Sequence, residues 1–114
     1  MTLQEIDVMM TNIVDTAGLV DYAYRKFGEG TNPELPYAIF YYPNSDNESA
    51  DSGVWVDISA LNIELYTANK DFAKEQLLES VLKSHGFFFN KTETYLDDER
   101  MYEVLYEMEV VIDG

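Results

Sequence analysis

The apolar positions of this chain switch between two periods, and the switches outline its elements. Leu3, Ile6, Met10 and Ile13, joined by Met9 and Val14, recur at the spacing of one helix face. Thr2-Leu3-Gln4-Glu5 has the pattern of a capping box, in which hydroxyl and carboxylate answer the first free N–H groups, and Gly18 stands at the expected stop. The polar face carries Gln4, Glu5, Asp7 and Asp15 where a membrane-lying helix would carry Lys or Arg, so the pattern predicts a helix facing a core. Val20, Tyr22 and Tyr24 then alternate with Asp21, Ala23 and Arg25, as in a short strand. Gly28 to Pro33 reads as a loop. Its glycines are not a phosphate cradle, because no Lys-Ser/Thr follows and the next segment is a strand.

Tyr37 to Tyr42 is apolar or aromatic on both faces and bracketed by Pro36 and Pro43, which predicts a confined inner strand. Asn44 to Gly53 is polar or small throughout and reads as a long, mobile hairpin connection. Val54 to Thr67 returns as a long strand. Val54, Val56 and Ile58 share one phase while Leu61, Ile63 and Leu65 share the other, which places a bulge near Ser59-Ala60. Asn69 is positioned to cap a second helix running to about Ser84, with Ala73, Leu77, Leu78, Val81 and Leu82 as its stripe and Gly86 at its left-handed stop. Phe87-Phe88-Phe89 opens another strand, and Tyr95 to Arg100 reads as an acidic turn. The final segment alternates most cleanly. Tyr102, Val104, Tyr106, Met108, Val110 and Ile112 line one face, and Glu103, Leu105, Glu107, Glu109, Val111 and Asp113 line the other.

This order predicts an α+β fold: a mainly antiparallel sheet of four to five strands, two helices packed on one face, and a long β-hairpin arm, in a single domain over 1–114. Met1 to Val14 has no basic cluster and no unbroken apolar run, so neither a signal peptide nor a membrane span is expected there.

Charge narrows the function more than the fold does. Twenty-two acidic residues against 7 basic give a net −15. Affinity for duplex nucleic acid is built from Lys and Arg, so direct nucleic-acid binding and anionic membranes are set aside. Two readings survive: a surface that excludes nucleic acid, or one that imitates it. No cysteine is present, which removes disulfides, thiolate metal sites and a cysteine nucleophile.

Candidate chemistry is sparse. His85 is the only histidine and falls in a helix's last turn, where capping the dipole is the stronger role. Asp46, Glu48 and Asp51 miss calcium-loop spacing, with Ala50 at a ligand position and Gly53 too late for the turn. Asp97-Asp98-Glu99 and the alternating Glu103, Glu107 and Glu109 are paired acids without a pocket. No catalytic, metal or cofactor site is read, and the chain is not expected to be an enzyme. Trp55 faces outward if Val54 and Val56 face the core, and an exposed aromatic there is suited to anchor an interface; burial against a helix is the equal alternative, since Trp is commonly well buried.

Read together, Glu34-Leu35-Pro36-Tyr37 running into Tyr41-Tyr42, then Asn62 to Thr67, Lys91 to Tyr95, and Met101 to Glu107 form a pattern over nearly the full length. In that order the chain resembles the tail terminator, or tail-to-head joining, proteins of long-tailed bacteriophages infecting Gram-positive bacteria. The resemblance implies a protein of the virion, at the head-proximal end of the tail, made in the host cytoplasm and monomeric in solution until a tail tube templates it. It further implies a homohexameric ring that caps the tube, contacts the tail tube protein and a head completion or connector protein, and uses no cofactor. In that setting the arm residues Tyr42, Asn44, Asp46, Asn47, Glu48, Asp51 and Trp55 are the expected assembly interface, and Glu103, Glu107 and Glu109 an acidic face. An acidic inhibitor imitating DNA before a nuclease or restriction system, or another head–tail completion or minor tail protein, remains open as an alternative.

Overall fold

The computed structural model describes residues 1–49 and 55–113. Helix α1 spans Leu3–Ala17 and opens on the expected capping box: the Glu5 amide donates to Thr2 Oγ1 and the Thr2 amide to Glu5 Oε1, each at 3.0 Å. Its apolar stripe is fully used, since Ile6, Met9, Met10 and Ile13 have no exposed surface. Side chains of this size contribute roughly 1.5–3 kcal/mol each on burial. Gly18 ends the helix with φ +69°, a left-handed value that costs an L side chain about 1–2 kcal/mol. Gly18→Ala is therefore expected to lower Tm by about 5–10 °C in thermal unfolding.

Six strands form one sheet: β1 (Asp21–Tyr24), β2 (Tyr37–Tyr41), β3 (Ser45–Ser49), β4 (Trp55–Thr67), β5 (Asn90–Leu96) and β6 (Met101–Ile112). They run in the order β1-β2-β4-β6-β5, with β3 beside β4, and α2 spans Phe72–Ser84 between β4 and β5. Every pairing is antiparallel except β1 with β2, so the sheet is mixed but mostly antiparallel. The fold is α+β, as the alternation of periods predicts. Leu61, Ile63 and Leu65 of β4, with Val104, Tyr106, Met108 and Val110 of β6, join the stripes of α1 and α2 in one buried cluster. Among the described residues, the opposite face of the sheet carries no helix.

Four local expectations change. Strand β4 has no bulge, because its register with β6 is unbroken from Asp57↔Ile112 to Thr67↔Tyr102. The extra residue lies in the neighbouring strand: Tyr41 faces Asn62 and Ser45 faces Ser59, so four steps there oppose three on β4. Pro43, which has no N–H for a ladder, sits in that step. Second, part of the expected connection is strand, since Ser45–Ser49 pairs with Ser59 to Trp55 and builds the arm. Third, α2 is capped by Asp71, whose Oδ1 accepts from the Lys74 amide at 3.0 Å, in place of Asn69. Fourth, β5 begins at Asn90; Phe87 and Phe89 pack against the core, while Phe88 stands 94% exposed in the linker.

Candidate assembly surfaces

Period-two alternation fixes what the uncovered face presents. Cross-strand partners share a face, so Tyr66 lies beside Glu103, Glu64 beside Leu105, Asn62 beside Glu107, Ala60 beside Glu109 and Ile58 beside Val111. From β2, Tyr37, Ile39 and Tyr41 join the same face opposite Tyr66, Glu64 and Asn62. The acidic wall read from the last strand is thus on the side without helices, with Glu103 half-buried and Glu107 and Glu109 exposed.

At the centre of this face the acids and tyrosines interlock. Glu64 accepts from the Tyr41 hydroxyl at 2.7 Å and from the Tyr66 hydroxyl at 2.5 Å, and Tyr66 also lies 3.3 Å from Glu103 Oε2. The Tyr37 ring stacks on Tyr66 at 4.9 Å, and the Arg25 guanidinium lies over Tyr41 at 5.2 Å from its ring centre. Burial, then the hydrogen bond given to Glu64, pushes the Tyr66 hydroxyl far above its ordinary value, so it stays a donor. Burial, and then the charge of Glu64, raises the Glu103 carboxyl, against a smaller opposing effect of the Tyr66 hydrogen bond.

The raised carboxyl has a definite sign for stability. Between the unfolded and folded values the native state binds more protons, so this group's contribution becomes less favourable as pH rises through that window. Glu103→Gln should unfold at a higher temperature than wild type at pH 7, and the gap should close as both are titrated toward pH 4. A gap that is constant with pH, in paired melting curves, would contradict it.

The structure distributes the arm residues more widely than one patch. Tyr42 packs against the helix-side core, within 5.9 Å of the Tyr24 ring and 6.2 Å of the Phe40 ring, and so fastens the base of the arm. Asn44 is exposed, and its carbonyl accepts from the Ala60 amide at 2.9 Å. Asp46, Asn47 and Glu48 lie in β3 opposite Ile58, Asp57 and Val56, and Trp55 opens β4 opposite Ser49. Asp51, with the rest of 50–54, lies outside the described residues. Further along β4, Ile58 shares the uncovered face with Val111.

One ionic cluster was absent from the reading of the sequence. In α2 the expected stripe members Ala73 and Leu77 are exposed, and Glu75 is buried in their place at 1% exposure. Its carboxylate lies 2.6 Å from Lys70 Nζ and 2.8 Å from Lys91 Nζ. Oε1 accepts no well-angled hydrogen bond, so the ion pair with Lys91 is what answers it. Lys91 also pairs with Glu79 at 2.7 Å and Lys70 with Glu93, while the Tyr106 hydroxyl donates to Glu79 at 2.9 Å. Burial pulls both ammonium groups down, and the surrounding carboxylates more than reverse this. This cluster ties α2 to β5 and β6 and faces away from the acid–tyrosine surface. Its only sequence trace is the i, i+4 pair Glu75 and Glu79, which is ordinary on a solvated helix.

No family model and no curated protein matches the chain. Among solved structures, a chain from the virion of a native gene transfer agent particle matches with a TM-score of 0.62, over 99% of this chain and 96% of that one, at 11% identity. At that identity the likeness establishes the fold alone. The alignment leaves almost nothing over on either side.

Proposed function

We propose that this chain is a structural protein of a phage-like virion, and within it the terminator that caps the tail tube as a six-membered ring and presents a docking surface to the head. The observation that carries the reading is the end-to-end fold likeness to a chain of a gene transfer agent virion. A full-length match of this kind favours a part of the same sort of assembly over a domain reused elsewhere. Two features of the molecule suit the role. The arm built by β3 and β4 is a natural reach toward a neighbour, and the helix-free acid–tyrosine face repels DNA through like charge. Lining a ring with such a face lets DNA pass without sticking. The partners in this reading are further copies, the tail tube protein and a head completion or connector protein. The chemistry is assembly, with no catalytic step.

The test is mass in solution, by light scattering or native mass spectrometry, with and without purified tail tubes. A ring, or a monomer recruited to tube ends that stops their growth, supports the proposal. A monomer that ignores tubes and binds a basic nuclease with steep salt dependence overturns it in favour of DNA imitation.

A further inference from the structure

The two lateral edges of the sheet differ, and the difference points to a partner. On β1, the Arg25 amide donates to the Phe40 carbonyl, so odd-numbered residues turn toward β2 and even-numbered ones outward. Two of those outward groups are already engaged: the Tyr22 amide donates to Asp21 Oδ1 at 2.8 Å, and the Tyr24 carbonyl accepts from the Lys26 amide at 2.7 Å. That edge is only four residues long and is partly engaged by its own chain.

The β5 edge is open. At the far end of β6, the Met1 amino group donates to the Val111 carbonyl and the Asp113 amide donates to the Met1 carbonyl, both at 2.8 Å, on the side away from β4. Odd-numbered β6 residues therefore turn toward that side, and their β5 partners are Asn90, Thr92 and Thr94. The amides and carbonyls of Lys91, Glu93 and Tyr95 are left pointing outward, along seven residues with no proline, no bulge and no described partner. Native sheets ordinarily blunt such an edge.

We propose that β5 accepts an extended segment of a different protein, one carrying Lys or Arg at alternate positions, which adds a strand to the sheet. Backbone bonding supplies the attachment and charge the selection. Asn90, Thr92 and Thr94 are small and share the uncovered face with Glu103 and Glu107, one strand further in. Strand spacing puts those carboxylates about 10 Å from an added strand, a gap that an extended Lys or Arg and a Glu close together. A second copy of this chain suits the slot poorly: each copy carries −15, its open β5 has Glu93 beside its one base Lys91, β1 is short and partly engaged, and Ser45–Ser49 contains Asp46 and Glu48 and no base.

The probe is a short synthetic peptide alternating Lys and Val, titrated into the isotope-labelled full chain with amide exchange followed residue by residue. At saturation the amides of Lys91, Glu93 and Tyr95 should slow by about tenfold or more. Glu93→Pro removes the middle outward donor and should weaken binding by about tenfold, whereas Glu93→Ala loses the same pair with Lys70 but keeps the amide, and should cost about threefold or less. A peptide with the same lysines in one block should bind without protecting β5. If the proline variant exposes the β5–β6 ladder, the wild-type chain against the alternating peptide N-methylated at every second residue replaces it, and binding should be lost. Equal loss in the two Glu93 variants, unchanged affinity for the methylated peptide, protection elsewhere than on β5, or no saturable protection would overturn the proposal. None of these outcomes depends on ring formation, so this inference and the terminator reading fail separately.

Discussion

At 10 mM salt the free protein should sediment as a monomer at concentrations where it self-associates in 150 mM salt, the reverse of an assembly held by surface ion pairs. The argument is one of magnitude. Two copies side by side are separated by about the molecule's middle dimension of 30 Å, and each carries −15. Treated as point charges in water, they repel by about 30 kcal/mol unscreened, about 11 kcal/mol at 10 mM and below about 1 kcal/mol at 150 mM, as the Debye length falls from about 30 to about 8 Å. Exposed ion pairs across a contact return only about 0.2–1 kcal/mol each, so they do not reverse the sign. Dimer association should strengthen by about a thousandfold or more between the two conditions.

Sedimentation velocity at matched protein concentration reads this directly. A stable ring at 10 mM salt would sink it, and with it the picture of a subunit held apart by its own charge until a tube concentrates it. The β5 slot should respond in the opposite sense. A basic strand is attracted to the same acids, so its affinity should fall as salt rises, and the two salt slopes separate self-contact from partner contact.

What could be read in the sequence tracks the range of the interactions involved. The final strand was legible because period-two alternation is local: Val104, Tyr106, Met108 and Val110 are buried while Glu107, Glu109 and Val111 are exposed, as the pattern requires. The cap of α1 was legible for the same reason, its partners lying three residues apart. The phase change of β4 was seen but placed on the wrong strand. The chain shows that Ile58 and Leu61 cannot share a face, yet only the register with β2 and β3 shows that Ile58 faces outward and the extra residue falls at the Pro43 step. The acidic wall was legible as a wall, but its interlock with Tyr41 depends on β2 lying beside β4, and that of Tyr66 with Glu103 on β6 lying beside β4, pairings no short window contains. Glu75 was least legible of all. A Glu in a helix reads as solvated, and one of the two lysines that make its burial tolerable is 16 positions away in β5, so nothing near Glu75 marks it.

That cluster carries the largest stability effect expected here, and the effect is asymmetric. Removing both lysines, as Lys70→Met with Lys91→Met, leaves a carboxylate at 1% exposure with no cation beside it. Stranding a buried charge costs about 3–5 kcal/mol, or a fall in Tm of about 15–25 °C for a chain of this size. Glu75→Leu should be far milder, about 1 kcal/mol or less, because an apolar side chain of similar volume suits the site and each lysine keeps another carboxylate, Glu79 for Lys91 and Glu93 for Lys70. The comparison distinguishes a stranded charge from mere loss of packing, because Glu75→Leu removes the charge with its partners' other contacts intact while the double-lysine variant leaves the charge and removes its partners. Thermal unfolding of the two variants beside wild type reads the difference. Equal destabilisation in the two variants would mean that Glu75 is held by packing and not by its charge partners.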